Sequence, residues 1–333
     1  MLSNSLAANG GTTSTRLPRI PQAIEGRPPK QSPHFKFVLA VIGVIAFIYC
    51  GFVFGLWWPA LGGRWSRLMM LIFNTFVCLM LLAFFQSCTT DPGGVPQYWG
   101  FHIGDDAKRR RYCKMCHVWK PERCHHCSAC NRCNLNMDHH CPWLNNCVGF
   151  YNRKFFIQLL VYVYICIALV LLFGFPRVIA ILDERLNHES GLILMHPRSC
   201  LGLFSYGLSI LLAISLFNFV KFHLGLVADN FTTIENFDRE PGVRSKYDIG
   251  RRANVEEVMG PTPWLWWLPF HTRLSEPVGD GVNWRIRTSD GGIGMSATSS
   301  INAGSKSTTV AHPVTSVSSA TDAGRAPDWA MRE

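Results

Sequence analysis

Residues 155–176 read FFIQLLVYVYICIALVLLFGFP, a run with no Asp, Glu, Lys or Arg. A bilayer core about 30 Å thick is crossed by about 20 apolar residues at 1.5 Å rise each, so this run is long enough to span one. Three more charge-free runs flank it: Phe37 to Gly63, Leu68 to Thr90 and Ser199 to Val220. Helices buried in soluble cores stop well short of such lengths. The whole chain of 333 residues is 48% apolar and only 16% charged, against roughly 25% charged in an ordinary soluble domain. A soluble enzyme is excluded, and the expected architecture is an α-helical polytopic membrane protein with four transmembrane helices.

The first run follows some 36 residues containing Ser, Pro and Arg and has no short apolar region ending in a small-residue cleavage site. It reads as a retained helix and not as a signal peptide. An even number of spans puts both termini on one side, and the basic residues indicate which. The N-tail carries Arg16, Arg19, Arg27, Lys30 and Lys36, and the loop after the second run carries ten more, including Lys108 to Arg111. The other connections hold only Arg64 and Arg67, or three arginines diluted by Asp183, Glu184 and Glu189. Tails and central loop are therefore expected in the cytosol, where a net charge of +10 suits an anionic leaflet better than nucleic acid.

The expected organisation is a flexible N-tail over 1–36, helices 1 and 2 over 37–90, a polar module over 91–154, and helices 3 and 4 over 155–228. A cytosolic segment over 229–274 follows, and then a C-tail over 275–333 rich in Gly, Ser, Thr and Ala, expected to be disordered for want of apolar side chains to offset ordering entropy. Residues 177–198 form the expected lumenal loop. Trp264 to Phe270, too short to span and too apolar for water, reads as an interfacial anchor.

Eight of the 13 cysteines lie between Cys113 and Cys147. In a reducing cytosol such a cluster holds metal or reacts, and is not a disulfide framework. The spacings favour zinc: Cys113-x2-Cys116, nine residues to His126-Cys127, then Cys130 and Cys133 at x2 intervals. Two closed tetrahedral sites take eight donors, while the module offers eight cysteines plus His117, His125, His126, His139 and His140. The surplus includes Asp138-His139-His140-Cys141, an acid, two imidazoles and a thiol in consecutive positions. These four fit either further zinc ligation or an activated nucleophile, because an unassisted thiol near pKa 8.5 is only a few per cent thiolate at neutral pH.

The run Cys113-x2-Cys116-x9-His126-Cys127-x2-Cys130-x2-Cys133-x4-Asp138-His139-His140-Cys141-x5-Cys147-x4-Asn152-x3-Phe156 resembles the cysteine-rich domain of the DHHC protein S-acyltransferases, the palmitoyltransferases. Asp91-Pro92-Gly93 resembles the family's DPG motif, Thr232-Thr233-Ile234-Glu235 its TTxE motif, and Asn254 with Val258 to Gly260 its PaCCT element. The resemblance covers roughly residues 37–270 and includes a cytosolic zinc-binding cysteine-rich domain between helices two and three. It implies an enzyme that loads a long acyl chain from acyl-coenzyme A, such as palmitoyl-CoA, onto Cys141 and passes it to a cysteine of a protein substrate, in two ping-pong steps. It also implies two structural Zn2+ ions, one on Cys113, Cys116, His126 and Cys133, the other on Cys127, Cys130, His140 and Cys147.

His139 is then the base, oriented by Asp138, which Thr233 supports, and Trp143 and Phe156 contact the acyl chain. The implied partners are acyl-CoA, membrane-associated proteins with accessible cysteines and the bilayer itself, with no nucleic acid. Phe156-Ile157-Gln158 and the tail pattern are most similar to the fungal vacuolar-membrane type, with Golgi or another endomembrane as the alternative. A zinc scaffold without chemistry leaves Asp138, His139 and Cys141 unexplained, and a transporter finds no charged residue inside the spans. Cys124 beside the knuckle reads as a spectator, Cys50, Cys78 and Cys166 as small hydrophobes, and Cys88 and Cys200 as thiols near span ends.

Overall fold

The computed structural model describes residues 35–57, 63–97, 99–100, 111–187, 196–288 and 291–296. The expected N-tail up to residue 34, Lys108 to Arg110 of the basic run and the chain after residue 296 lie outside the described residues. Among the described residues four helices are long and apolar enough to cross a membrane, which makes this a multi-pass membrane protein. Helix α1 (Phe35–Cys50) continues as a wider π-helical stretch, Gly51–Trp57. Helix α2 spans Arg64–Thr89, α3 Arg153–Asn187 and α4 Pro197–Ala228.

The third and fourth helices outrun the charge-free windows at their ends. Helix α3 begins on Arg153 and Lys154 and continues through Pro176 to Asn187, so it takes up the first eleven residues of the expected loop over 177–198. Charge limits how much of a helix hydrocarbon can cover, but it does not stop a helix whose backbone bonds are already closed internally. The π-helical stretch packs on α4 at van der Waals limits. A Cβ on Gly55 would stand 2.6 Å from the Gly202 backbone, so the two helices approach as closely as they do because neither carries a side chain there.

Between α2 and α3 the chain folds into three antiparallel hairpins: β1–β2 (Tyr112–Cys113 with Val118–Trp119), β3–β4 (His125–Cys127 with Arg132–Asn134) and β5–β6 (His139–Cys141 with Asn146–Val148). Side-chain amides hold this module to the helix ends. Asn146 donates to the carbonyls of Ser87, Cys88 and Thr90, satisfying the last turn of α2. Asn152 donates to the Cys147 carbonyl and accepts from the Gly149 N–H just before α3. Arg132 makes a two-pronged pair with Asp91 at 2.7 and 2.8 Å.

After α4 come a short helix α5 (Thr233–Asp238), helix α6 (Arg251–Met259) and a 3-10 turn, Pro263–Trp267. Asn254, fully buried, donates to the Ala228 carbonyl and so caps the end of α4. The expected disorder from residue 275 onward is corrected by the structure up to residue 296. Lys154 donates to the carbonyls of Phe270 and Ser275, and a hairpin β7–β8 (Arg285–Arg287 with Ile293–Met295) closes the described chain. Val282 and Trp284 are buried against the cysteine-rich module with Phe150 and Tyr247. Composition missed this because two large apolar side chains are enough when a distant surface receives them. That surface centres on Arg123, whose buried guanidinium lies 4.2 Å from the Tyr247 ring and 4.6 Å from that of Trp284. Trp284→Ala is expected to destabilise the fold by about 3–5 kcal/mol, as large-to-small changes at a buried aromatic do. Thermal unfolding checks this, and a midpoint equal to the parent's would return 275–296 to the tail.

Candidate active site

The three hairpins repeat every 14 residues. Cys113, Cys127 and Cys141 each end a first strand and face Val118, Arg132 and Asn146 at the start of the second. The connecting turns place His117, Asn131 and Asn145 in the left-handed region at φ of 57°, 53° and 52°, a conformation that Asn tolerates better than most residues. Each of the first two turns carries a C-x2-C pair. A cross-strand His–Cys pair follows one hairpin later: His126 opposite Cys133 and His140 opposite Cys147.

This offset gathers two donor sets, Cys113, Cys116, His126 and Cys133, and Cys127, Cys130, His140 and Cys147, each with its ligand atoms mutually within 4.8 Å. Tetrahedral zinc, with Zn–S about 2.3 Å and Zn–N about 2.0–2.1 Å, separates its ligands by about 3.6 Å from S to N and about 3.8 Å from S to S. His126 Nδ1 stands 3.6, 3.2 and 4.0 Å from the sulfurs of Cys113, Cys116 and Cys133. His140 Nδ1 stands 3.4 and 3.7 Å from Cys130 and Cys147, whose sulfurs are 3.5 Å apart. Burial and the adjacent sulfurs of Cys133 and Cys113 push the Cys116 thiol up to about 12, a crowding of negative charge that a divalent cation offsets. Both sets could bind zinc.

The third hairpin has the same turn but Leu144 where the second cysteine would stand, and the described residues supply no further hairpin with a facing His–Cys pair to complete a set. Cys141 is thus outside both metal sets. Adjacent residues of β5 face opposite ways, so His140 joins the metal set while His139 stays with Cys141. Asp138 precedes β5, where the alternation ends, and its carboxylate Oδ2 lies 2.8 Å from His139 Nδ1. Two residues apart on β5, His139 and Cys141 share a face of the strand, and since Nδ1 is engaged by Asp138, Nε2 is the nitrogen left on the side of the sulfur.

Asp138 is 1% exposed, and burial alone would raise its pKa. The Arg153 guanidinium 3.2 Å away, the His139 ring and the Thr233 hydroxyl outweigh burial and hold the carboxyl below the usual range. Thr233 donates twice, its Oγ1 to Oδ2 at 2.7 Å and its N–H to Oδ1 at 3.1 Å. For His139, burial pushes the ring down, but the Asp138 carboxylate and the nearby Cys141 sulfur prevail and raise it to about 9. The position of Thr233 is itself fixed. Thr232 and Glu235 form a capping box at the start of α5, and Glu235 pairs with Arg123 at 2.8 Å.

Phe156 is buried with its ring edge-on to His139 at 5.2 Å. Trp143 is half exposed and meets Phe37 of α1 at 5.2 Å, also edge-on. Cys124 is fully buried beside Cys133 but belongs to neither donor set. Sequence reasoning missed Arg153 and Arg123, because nothing local distinguishes a basic residue at a helix start or in a turn from a surface charge. The 14-residue period was readable from Cys113, Cys127 and Cys141 together with His126 and His140.

The family model described as DHHC palmitoyltransferase matches residues 106–240. The chain is 33% identical over 257 residues to "Probable protein S-acyltransferase 12" of Arabidopsis thaliana, covering 71% of this chain and 87% of that protein. It is 36% identical over 259 residues to "Probable protein S-acyltransferase 13" of the same plant, covering 71% and 84%. To "Palmitoyltransferase PFA3" of Debaryomyces hansenii it is 37% identical over 208 residues, covering 53% and 48%.

If Leu144 is what keeps metal away from the third turn, Leu144→Cys should complete a C-x2-C pair beside His139. Bound zinc is then expected to rise by up to about one ion per chain. Metal analysis of variant and parent decides this, and equal contents would mean that the shared turn does not by itself make a metal site.

Proposed function

The chain belongs to the DHHC palmitoyltransferase family and is a membrane-bound protein S-acyltransferase, and from this we propose that Cys141 carries the acyl group while His139 moves its proton. The observation that carries the proposal is the hydrogen-bonded line Thr233–Asp138–His139, ending on the strand face that His139 shares with Cys141. In the first step the Cys141 proton passes to His139 Nε2, and the sulfur attacks the thioester carbonyl of acyl-CoA. The carbon–sulfur bond to coenzyme A breaks, and the departing thiolate takes the proton back from His139. The second step repeats this with a substrate cysteine as nucleophile and Cys141 as the leaving sulfur. Thioester exchanged for thioester is close to thermoneutral, so thiolate supply and positioning are what the site must provide. A positioned base contributes roughly 10²- to 10⁴-fold. Asp138 fixes the ring by its Nδ1 bond and balances the imidazolium formed on Nε2.

The remaining roles follow. Two Zn2+ ions, held by the two sets of four ligands, supply structural rigidity to the hairpins and take no part in acyl transfer. Palmitoyl-CoA is the donor, its chain lying among the spans, where each buried methylene contributes about 0.8 kcal/mol. Phe156 and Trp143 line its path. Module and termini face the cytosol, as the arginine and lysine bias supports. The organelle is the vacuolar membrane or the Golgi, and the substrates are membrane-associated proteins with accessible cysteines. Trp264, 87% exposed, with Trp267 and Phe270 also open, suits an anchor in the headgroup layer.

Incubating the purified protein with labelled palmitoyl-CoA should give a thioester that hydroxylamine releases and that maps to Cys141. Cys141→Ser should lose it with zinc content unchanged, and a loss of metal in that variant would contradict the assignment. The adjacent histidines should separate. His139→Ala is expected to keep its metal and to slow self-acylation by roughly 10²- to 10⁴-fold. His140→Ala should lose zinc and unfold the module, because structural zinc supplies on the order of 10 kcal/mol of folding free energy. Equal metal loss in the two would remove the division of labour.

A further inference from the structure

One buried titratable side chain next to the site has no part in the mechanism above. His223, on the last turns of α4, is 3% exposed. Its Nδ1 lies 3.8 Å from Asp138 Oδ2, beyond hydrogen-bond range. Oδ2 already accepts from Thr233 and is bonded to His139. What His223 does contact is rings: His139 at 5.5 Å between centroids, Phe156 at 4.9 Å, Phe219 at 4.5 Å and Phe222 at 5.2 Å.

The Nδ1 bond to Asp138 holds one edge of the His139 ring and leaves its tilt to be set by what packs against its faces. Phe156 meets it edge-on, and His223 lies tilted against it at 43°. Phe156 and His223 are in turn perpendicular to one another at 85°. Two neighbours that brace each other fix that tilt and keep Nε2 on the side of Cys141. We infer that His223 is a positioning residue that fixes the plane of the His139 ring through aromatic contact, so that the helix end of α4 sets the aim of the base. This rests on the reading of His139 as the base of acyl transfer.

The test uses the full-length enzyme in detergent with palmitoyl-CoA as donor, comparing His223→Leu with His223→Phe. Three quantities are read: kcat and KM of self-acylation, the rate at which chloroacetamide alkylates Cys141, and zinc content. Leu removes the ring and should lower both kcat and the alkylation rate on the order of tenfold, since small misplacements of reacting groups are costly. KM and zinc should not move, whereas a merely structural defect would move zinc and leave alkylation alone. Phe restores the ring and should stay within about threefold of the parent, the modest change expected when packing is conserved. If Leu does not fold, His223→Gln, polar but without a ring, takes its place with the same expectation. Parent-like rates in the ringless variant overturn the inference. So does a Phe variant as slow as the ringless one, which would give the role to Nδ1 and not to the ring. His139→Ala runs alongside, and if it acylates at the parent's rate the base assignment falls first and takes this inference with it.

Discussion

A carboxylate removed from water has to be compensated, and Asp138 is the point where this chain meets that requirement. Isolated, the charge would be driven to neutrality by burial. It stays ionised because Arg153 from the start of α3, Thr233 from the start of α5 and its own neighbour His139 all converge on it. Those groups belong to segments 15 and 95 residues apart from it at the extremes, so the charge is stable only when the helix ends have docked on the module. The same contacts hold the His139 ring, the proposed base. Stability of the membrane-proximal assembly and competence of the site are therefore one condition.

The hairpin repeat explains why Cys141 lies outside the metal sets although its turn matches theirs. Each turn presents a knuckle, and each following hairpin presents the histidine and cysteine that complete the previous knuckle's set. Among the described residues the third turn is followed by no further His–Cys hairpin, and it carries Leu144 in place of a second sulfur, buried in the core together with Cys141. A metal-binding geometry without a metal set leaves a sulfur held rigidly at a defined place. Rigid backbone support is what the nucleophile proposed at Cys141 would need, and the two neighbouring hairpins provide it.

The segment beyond α4 contributes by closing the structure over the module. Arg123 exemplifies this: its guanidinium pairs with Glu235, bonds Asn230 and lies between the rings of Tyr247 and Trp284. A buried arginine needs full pairing to be tolerated, so these contacts join the module, the capped α5 and the final hairpin into one cooperative unit. Lys154 and His271 extend the same closure, bonding the Phe270, Ser275 and Tyr151 carbonyls.

Four spans were legible in the sequence because hydrocarbon imposes a length and a lack of charge on any helix that crosses it, a constraint that acts residue by residue. Zinc was legible because tetrahedral ligation imposes fixed short spacings, while the division into two groups of four came from the family resemblance, and the structure gathers those same groups. Helix ends were not, since a helix can continue past the bilayer once its backbone bonds are internal, as α3 does to Asn187. Nor was the ordered course of 275–288, where Trp284 and Val282 depend on a surface formed about 160 residues earlier around Arg123. His223, Arg153 and Arg123 look like ordinary polar residues along the chain. Only the tertiary structure selects them, because what distinguishes them is the buried charge or ring that a distant segment brings within a few ångströms.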